Sequence, residues 1–292
     1  MSSGRSGTRP TVAAFDFDGT LARGGSVVPF LFKVRGVLPV VLAVLRDLPR
    51  LAHAAIVGGT ASDDAKETLF MRLLAGYSVA ELDRIGDEFA AVHLRRRIRA
   101  DTRERLEWHR GQGHYVVVVS ASPEAFVRPA AALLGADAAL ATRLAAGGDL
   151  LTGRYEGKNC RGAEKYARLM GWIRSEGLGS TQPVLWAYGN SRGDRRLLEA
   201  ADHGVDAGRL GRFGRLSRYP RLSQVARSAA GGEARRGVAT GASSGASSNA
   251  SSGASSDVSS DASSGASSDV SSDASSGASS GASSDVSSGA HE

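Results

Sequence analysis

Residues 11–20 read TVAAFDFDGT, an apolar run that stops abruptly at two aspartates and a glycine. The run TVAAF has the length and apolar content of a buried β-strand. Such a strand delivers Asp16 and Asp18 at its carboxyl end. Gly19 allows a sharp turn there, so that two side chains that strand alternation sends to opposite faces can both reach one pocket.

Two later apolar runs also end at polar residues. Residues 115–119 end at Ser120, and residues 184–188 end at Gly189 and Asn190. Helical patterns lie between and after these runs, at residues 101–109, 124–134, 163–172 and 195–201. Strands that alternate with helices predict an α/β fold with a doubly wound parallel sheet, in which the ligand binds outside the carboxyl ends of the strands.

Changes in composition predict the domain organisation. Residues 24–97 carry Leu-, Val- and Ala-rich helical patterns and are too long for an ordinary crossover connection, so they are interpreted as a helical cap inserted after the first strand. The full prediction is a flexible N-terminus at 1–10, a catalytic core at 11–23 and 98–207, the cap at 24–97, a basic segment at 208–236 and a repeat tail at 237–292.

The repeat tail has a composition that does not support a core. From 241 to 288 it consists of back-to-back tetrads of Gly, Asp or Asn, then Ala or Val, then Ser-Ser. Such a segment buries too little apolar surface to offset its chain entropy. We therefore expect the tail to be disordered.

Charge is divided unevenly along the chain. The first 236 residues carry 36 basic and 24 acidic groups, whereas the remainder carries six acids and no Lys or Arg. A positive field favours anionic partners such as phosphate esters, anionic lipid or nucleic acid. A general solubility charge explains the same excess equally well.

Localisation is predicted from cysteine use and hydropathy. Cys160 is the only cysteine, which fits a reducing compartment, and residues 1–10 contain no apolar signal sequence. Residues 37–45 are too short to cross a bilayer core of about 30 Å, although they suit a helix lying on a membrane surface. We expect a cytoplasmic protein, with peripheral contact at the inner membrane surface as a second alternative.

Four motifs follow one another along the chain: DFDGT from Asp16, VVVVSASP from Val116, NCRGAEK from Asn159 and YGNSRGD from Tyr188. In this order they resemble the four motifs of the haloacid-dehalogenase-like hydrolases, a superfamily of doubly wound proteins with a cap. The resemblance is nearest to subfamily IB, the branch that includes the phosphoserine phosphatases and inserts a helical cap after the first motif.

The resemblance implies a phosphatase mechanism. Asp16 is then the nucleophile that forms an aspartyl-phosphate, and Asp18 is the general acid and base. Phosphate contacts are implied for Ser120, Lys165, Gly19 and Thr20. The implied cofactor is Mg²⁺, held by the Asp16 carboxylate, by the backbone carbonyl of Asp18 and by the fourth motif.

The fourth motif departs from the family pattern, because Asn190 stands where the family has Asp. An amide oxygen can bind Mg²⁺ but adds no charge, so Asp194 is predicted to supply the acid directly or through water. In the third motif, Lys165 fits the family spacing better than Lys158 or Arg161, which are more typical of solvated loop charges.

Substrate signals are weaker. Gly25 occupies the position where phosphoserine phosphatases have a Glu that meets the substrate amine, so phosphoserine loses support. Lys66 is a candidate for contacting an anionic substrate group, although a solvent-facing helix lysine is the simpler expectation. Ser122, followed by Pro123 and Glu124, is expected to cap a helix rather than to serve the site.

Two functions compete. The first is a Mg²⁺-dependent phosphomonoester hydrolase for a small or lipid-like phosphate, with no nucleic acid partner. The second is a weakly active or inactive binding protein of the same fold, with a basic surface that binds anionic lipid or nucleic acid. Its candidate surface is an arginine at every third position, which a basic loop edging the core explains as well: Arg209, Arg212, Arg215, Arg218 and Arg221. The complete set of motif residues favours the enzyme.

Overall fold

The structure is a computed structural model that describes residues 9–208 and 218–225. The predicted flexible N-terminus up to residue 8, most of the basic segment and the whole repeat tail lie outside the described residues. Arg209, Arg212 and Arg215 of the arginine repeat lie outside them as well.

A parallel sheet forms the centre of the described chain. The strands are β1 (Thr11–Phe15), β2 (Tyr115–Pro123), β3 (Ala138–Thr142), β4 (Leu144–Gly147), β5 (Leu150–Tyr155), β6 (Val184–Gly189) and β7 (His203–Asp206). Five of them form the sheet in the order β3-β2-β1-β6-β7, and β4 pairs with β5 in a separate antiparallel hairpin. Phe15, the last residue of β1, pairs with Val118 of β2 and with Tyr188 of β6, so the end of β1 lies beside the end of β6 and beside the middle of β2.

Nine α-helices accompany the strands in the described residues. They are α1 (Val27–Arg35), α2 (Val37–Arg46), α3 (Leu48–Val57), α4 (Thr60–Leu74), α5 (Val79–Glu88), α6 (Ala100–Gly111), α7 (Glu124–Leu133), α8 (Ala163–Ser175) and α9 (Arg195–Ala200). Helix α5 continues as a π-helix over Phe89–Leu94 and a 3₁₀ turn over Arg95–Arg97. Helices α1 to α5 therefore fill the chain between β1 and the return to the sheet.

Both faces of the sheet are covered. In β1, Ala13 and Phe15 enter one apolar core, while Val12 and Ala14 enter another. The first core includes side chains of α6 and α7, and the second includes side chains of α8 and α9. This alternation follows from the period of two in a strand that is buried on both sides. The predicted doubly wound α/β fold is confirmed.

Three regular features were not predicted from the sequence: β3, the β4–β5 hairpin and β7. Strand β2 also runs to Pro123, four residues beyond the predicted end. Strand β3 reads AALAT and the hairpin contains Gly147 and Gly148, and alanine and glycine are depleted in strands. Pairing and packing decide these segments, because their local propensity does not.

The β4–β5 hairpin packs closely on α4. Gly153 has a φ of +76°, and a Cβ atom there would lie 2.4 Å from the Cα atom of Met71. The Tyr155 amide also donates to Glu67 Oε1 at 2.8 Å, and the Tyr155 hydroxyl donates to the Asp63 carbonyl at 3.1 Å. These contacts fix α4, the helix that carries Lys66, against the chain that follows β3.

None of the helices in residues 9–208 and 218–225 combines the length and hydropathy that crossing a bilayer requires.

A buried polar cluster supports β1 and β6 from one side. The Tyr188 hydroxyl accepts a hydrogen bond from Arg105 Nε at 2.7 Å and lies 2.8 Å from His109 Nε2, and the Tyr188 ring stacks on Phe15 with centroids 4.3 Å apart. Burial, together with the positive charge of Arg105, lowers the pKa of His109 to about 2. The imidazole is therefore neutral at physiological pH, and the cluster places one cation, Arg105, next to the hydroxyl.

Replacing Tyr188 by Phe should destabilise the fold, because the buried Arg105 guanidinium loses this acceptor while the aromatic packing is kept. We expect a loss of about 1–3 kcal/mol in the free energy of unfolding, measured by urea titration with an unchanged m value. Tyr166→Phe, at a half-buried position of α8, is the matched control and should change stability by less than about 0.5 kcal/mol. Equal midpoints for Tyr188→Phe and wild type would contradict this role of the hydroxyl.

Candidate active site

Polar side chains from three strand ends lie at one edge of the sheet. Asp16 directly follows β1, and its amide donates to the Tyr188 carbonyl of β6 at 2.9 Å. Ser120 lies within β2 and is buried, and Asn190 directly follows β6. The parallel register of the three strands brings these groups to the same carboxyl edge.

The centre of the site is a buried ion cluster. Lys165 Nζ lies 2.5 Å from Asp16 Oδ1 and 2.6 Å from Asp194 Oδ1, and only 2% of the Lys165 side chain is exposed. Lys165 comes from the first turn of α8, and Asp194 from the 3₁₀ turn that precedes α9. Lys158 is exposed, and Arg161 donates to the Gly59 carbonyl at 3.0 Å instead. Lys165 is therefore the cation of the third motif that reaches Asp16.

Burial shifts the charges of this cluster in different directions. It raises the pKa of Asp16 well above its ordinary value, and the nearby Asp194 carboxylate adds to the shift although Lys165 opposes it. Burial opposes the Lys165 charge too, but the two carboxylates outweigh it and hold the pKa of the ammonium above its usual range. In Asp194 the reverse balance holds, because Lys165 and Ser191 lower the pKa of the carboxyl despite burial.

Asp194 also organises the loop that carries Asn190. Its Oδ2 atom accepts hydrogen bonds from the backbone amides of Asn190 at 3.1 Å and Ser191 at 3.0 Å, and from the Ser191 hydroxyl at 2.8 Å. Since Oδ1 is bound by Lys165, both oxygens of Asp194 are already engaged. The carboxylate thus links α8 to the end of β6.

Ser122 contacts Asp18, and the expectation that it caps a helix is wrong. The N-cap of α7 is Pro123, because β2 continues as far as that residue. The Ser122 hydroxyl instead donates to Asp18 Oδ2, and its amide donates to Ser120 Oγ at 3.1 Å. The second motif therefore supplies two hydroxyls to the site rather than one.

The environment of Asp18 favours its protonated form. Burial raises the pKa of the Asp18 carboxyl, although the hydrogen bond from the Ser122 hydroxyl and the neighbouring Ser26 oppose the shift. A carboxyl that keeps its proton nearer to neutral pH can serve as a general acid.

The turn after β1 requires glycine. Gly19 has a φ of +83°, and a Cβ atom there would lie 1.9 Å from Asn190 Nδ2. The turn is held by Arg99, a buried residue whose Nη1 donates to the carbonyls of Gly19, at 2.8 Å, and Ala207. Arg99 therefore ties the first motif to the loop after β7.

Several buried oxygens at the site have no hydrogen-bond partner among the described residues: Asp18 Oδ1, Thr20 Oγ1, Ser26 Oγ and Asn190 Oδ1. A buried polar atom without a partner is costly, so these oxygens fit a site that binds a further group. Carboxylate and amide oxygens are suitable ligands for Mg²⁺. Within the described ranges no cluster of three His, Cys, Asp or Glu side chains is placed to hold a metal. The groups that could hold Mg²⁺ here are the Asp16 carboxylate, the backbone carbonyl of Asp18 and the unpartnered amide oxygen of Asn190.

Lys66 reaches the site from α4, and the simpler expectation of a solvent-facing lysine is wrong. Its Nζ atom donates to the Ala121 carbonyl at 2.7 Å and to Asn159 Oδ1 at 2.9 Å. Asn159 is held in turn by Thr142 Oγ1 at 2.7 Å and by Asp63 Oδ1 at 2.6 Å. Burial lowers the pKa of Lys66 to about 8, even though Asp63 opposes the shift.

Sequence reasoning missed three residues of this site: Ser26, Arg99 and Asn159. Asn159 is the first residue of the third motif, and that position was the available sequence signal. Arg99 and Ser26 had no such signal, because their roles depend on contacts with the turn after β1.

Comparison with known proteins identifies the family. A sequence model of the haloacid dehalogenase-like hydrolases matches residues 13–199. Protein CicA of Caulobacter vibrioides is 34% identical over 201 residues, which is 68% of this chain and 87% of that protein. The Mycobacterium tuberculosis protein named Probable phosphatase Rv3661 is 31% identical over 210 residues, covering 68% of this chain and 69% of that protein.

A solved structure supports the same fold. The crystal structure of a protein with unknown function from Bordetella pertussis Tohama I superposes with a TM-score of 0.59 and 24% sequence identity, covering 68% of this chain and 90% of that one. The matched family model and the relatives show that the chain belongs to the haloacid dehalogenase-like hydrolase family.

Proposed function

We propose that the protein is a Mg²⁺-dependent phosphomonoester hydrolase that acts through an aspartyl-phosphate on Asp16. The observation that carries this proposal is the buried Lys165 ammonium between Asp16 and Asp194, together with four buried oxygens that have no hydrogen-bond partner in the described part of the chain. A phosphoryl group brings negative charge and requires this kind of positioned positive charge. The M. tuberculosis relative named as a probable phosphatase supports the same reaction class.

Asp16 is the proposed nucleophile. Because Lys165 donates a hydrogen bond to Oδ1 of Asp16, we assign the attack on phosphorus to Oδ2. The bond from phosphorus to the leaving oxygen breaks as the bond to Asp16 forms, and water later hydrolyses the phospho-enzyme. In this proposal Lys165 offsets negative charge on the phosphoryl oxygens, and the Ser120 hydroxyl donates a hydrogen bond to them. The turn at Gly19 and Thr20 offers further contacts to the same oxygens.

Asp18 is the proposed general acid and base. Because its pKa is raised, the Asp18 carboxyl keeps a proton that it can donate to the leaving oxygen. The resulting carboxylate accepts a proton from the attacking water in the second step. Ser122 is proposed as a positioning residue, because its hydrogen bond to Oδ2 restricts the orientation of the carboxyl group.

The groups that would hold Mg²⁺ are the Asp16 carboxylate, the backbone carbonyl of Asp18 and the amide oxygen of Asn190, so the Asp18 carboxyl stays available for proton transfer. A bound Mg²⁺ would neutralise charge on the carboxylates and on the phosphoryl oxygens. We assign Asp194 an indirect role in metal binding, since both of its oxygens already accept hydrogen bonds. It would act through a water molecule and by positioning Lys165 and the loop that carries Asn190.

We propose a phosphorylated small molecule as the substrate class. Lys66 and Asn159 stand beside the second motif and suit an anionic or polar part of the substrate beyond the phosphate. Gly25 offers no side chain to a substrate amine, so phosphoserine is not favoured. Phosphate release would be measured with and without Mg²⁺ on a panel of phosphorylated metabolites that includes lysophosphatidic acid as the lipid-like phosphomonoester. The compounds that are hydrolysed would identify the substrate class.

Asp16→Asn should reduce phosphate release from p-nitrophenyl phosphate to below about a hundredth of wild type, because an amide cannot attack phosphorus. Circular dichroism should show an unchanged fold. The matched control is Asp149→Asn, at an exposed position between β4 and β5, and it should keep full activity. Substantial activity in Asp16→Asn would exclude Asp16 as the nucleophile.

Asn190→Asp should lower the Mg²⁺ concentration for half-maximal activity by roughly tenfold, because a charged oxygen binds a hard cation more strongly than a neutral one. Asn190→Ala should raise that concentration. The shift of melting temperature with added Mg²⁺ gives a readout that does not depend on activity. Gln112→Glu makes the same amide-to-carboxylate change at an exposed position and is the control. Identical Mg²⁺ dependence in all variants would remove Asn190 from the metal site.

Lys66→Met should raise KM several-fold and leave kcat largely unchanged if Lys66 binds the substrate rather than the reacting atoms. Because burial lowers the pKa of Lys66 to about 8, the ammonium is present below that pH and is lost above it. The KM of wild type should therefore rise above pH 8, whereas the KM of Lys66→Met should not follow this titration. Lys33→Met, at an exposed lysine of α1, is the control, and a wild-type KM profile in Lys66→Met would contradict the assignment.

A further inference from the structure

Helices α2 and α3 follow each other with only Asp47 between them, and together they expose apolar side chains to solvent. These two helices, Val37–Arg46 and Leu48–Val57, are called the apolar hairpin. Eight of the twelve exposed large apolar side chains in the described residues lie on these two helices, so the exposure is concentrated rather than scattered. They are Val37, Leu38, Val41, Leu42, Leu45, Leu48, Ile56 and Val57.

The exposed side chains of α2 share one face. Val37, Leu38, Val41, Leu42 and Leu45 follow the spacing of one side of a helix, and their exposed fractions range from 39% to 68%. The opposite side of α2 is buried through Val40 and Ala43. Helix α2 is therefore seated on the protein by one face and presents a second apolar face outward.

The apolar hairpin carries a net positive charge. Between Gly36 and Gly59 the charged residues are Arg46, Asp47 and Arg50. Asp47 is buried and bound by both Nε and Nη2 of Arg72 at 2.9 Å, so its charge is already neutralised. Arg46 and Arg50 are exposed beside the turn between the two helices. The surface therefore combines an apolar face with a net positive charge, because one carboxylate, Asp47, faces the three cations Arg46, Arg50 and Arg72.

The hairpin ends at the rim of the candidate active site. Helix α3 stops at Val57, and the Gly59 carbonyl accepts a hydrogen bond from Arg161 of the third motif at 3.0 Å. Two turns of α4 then lead to Lys66 and its partner Asn159. A partner bound to the hairpin would therefore adjoin the site.

We propose that the apolar hairpin docks on an anionic lipid bilayer. Its apolar face suits the acyl boundary, and Arg46 and Arg50 suit anionic headgroups. Helix α2 has ten residues, about 15 Å, which is half the thickness of a bilayer core, so the hairpin lies in the interface and does not span it. This inference goes beyond the proposed hydrolysis and does not depend on it.

A second copy of the chain is the weaker candidate for this surface. In a twofold dimer the same patch faces itself, so the cations of one copy meet those of the other. The hairpin offers Arg46 and Arg50 no exposed acid as a partner, since Asp47 is buried against Arg72. An anionic bilayer supplies the missing charge.

Binding of the full-length protein to vesicles tests the proposal. We expect it to sediment with vesicles of equimolar phosphatidylcholine and phosphatidylglycerol, and to bind vesicles of phosphatidylcholine alone more weakly. The double variant Leu42→Asp, Leu45→Asp should lose at least about tenfold in partition, because two charges enter the apolar face. Arg46→Gln, Arg50→Gln should lose on the order of tenfold, and the remaining binding should depend less on salt.

Matched controls are available outside the hairpin. Leu133→Asp changes an exposed leucine of α7, and Arg154→Gln changes an exposed arginine of β5; both should bind vesicles like wild type. All variants should hydrolyse p-nitrophenyl phosphate like wild type in the absence of vesicles, so a failed docking proposal is distinguished from a failed hydrolase proposal.

Three results would overturn the proposal. The first is that wild type does not bind the vesicles, and the second is that both hairpin variants bind them like wild type. The third is that wild type is a dimer and Leu42→Asp, Leu45→Asp is a monomer, measured by light scattering, while vesicle binding is retained; the hairpin would then be a subunit interface.

Discussion

The buried ammonium of Lys165 is the interaction on which the site depends. Two almost fully buried carboxylates, Asp16 and Asp194, approach within hydrogen-bonding distance of it. Without that cation they would repel each other in a region that water does not screen. Because the three side chains come from the end of β1, the start of α8 and the turn before α9, one ion cluster holds three distant segments of the chain together.

The cluster leaves an excess of negative charge and several oxygens unsatisfied. Lys165 offsets one of the carboxylates, while Asp18 adds another buried carboxyl whose Oδ1 has no partner among the described residues. Asn190 reduces this excess, since it brings an amide oxygen where the family pattern has an acid. The result is a site suited to a cation and an anion together, with weaker charge for the cation than three carboxylates would give.

The segment between β1 and α6 connects this site to the outer surface. On one side, α4 is fixed by the β4–β5 hairpin, where Gly153 allows the backbone of β5 to approach Met71. That contact brings Lys66 to Ala121 and Asn159, beside the second and third motifs. On the other side, α2 and α3 leave a large part of their apolar surface uncovered. This segment therefore contributes Lys66 to the candidate site and an apolar surface to the exterior of the protein.

The sequence by itself determined the three central strands of the sheet and the polar groups at their carboxyl edge. Apolar runs that end at Asp16, Ser120 and Asn190 are local patterns, and parallel strands bring such ends together whatever the loops do. It did not predict β3, the β4–β5 hairpin or β7, because Ala- and Gly-rich segments become strands through pairing rather than propensity. Only the tertiary structure decided that Lys66 points inward, that Ser122 serves Asp18 and that Arg99 holds the Gly19 turn. Each of these contacts joins residues 55 or more positions apart, and local periodicity carries no information about packing at that distance.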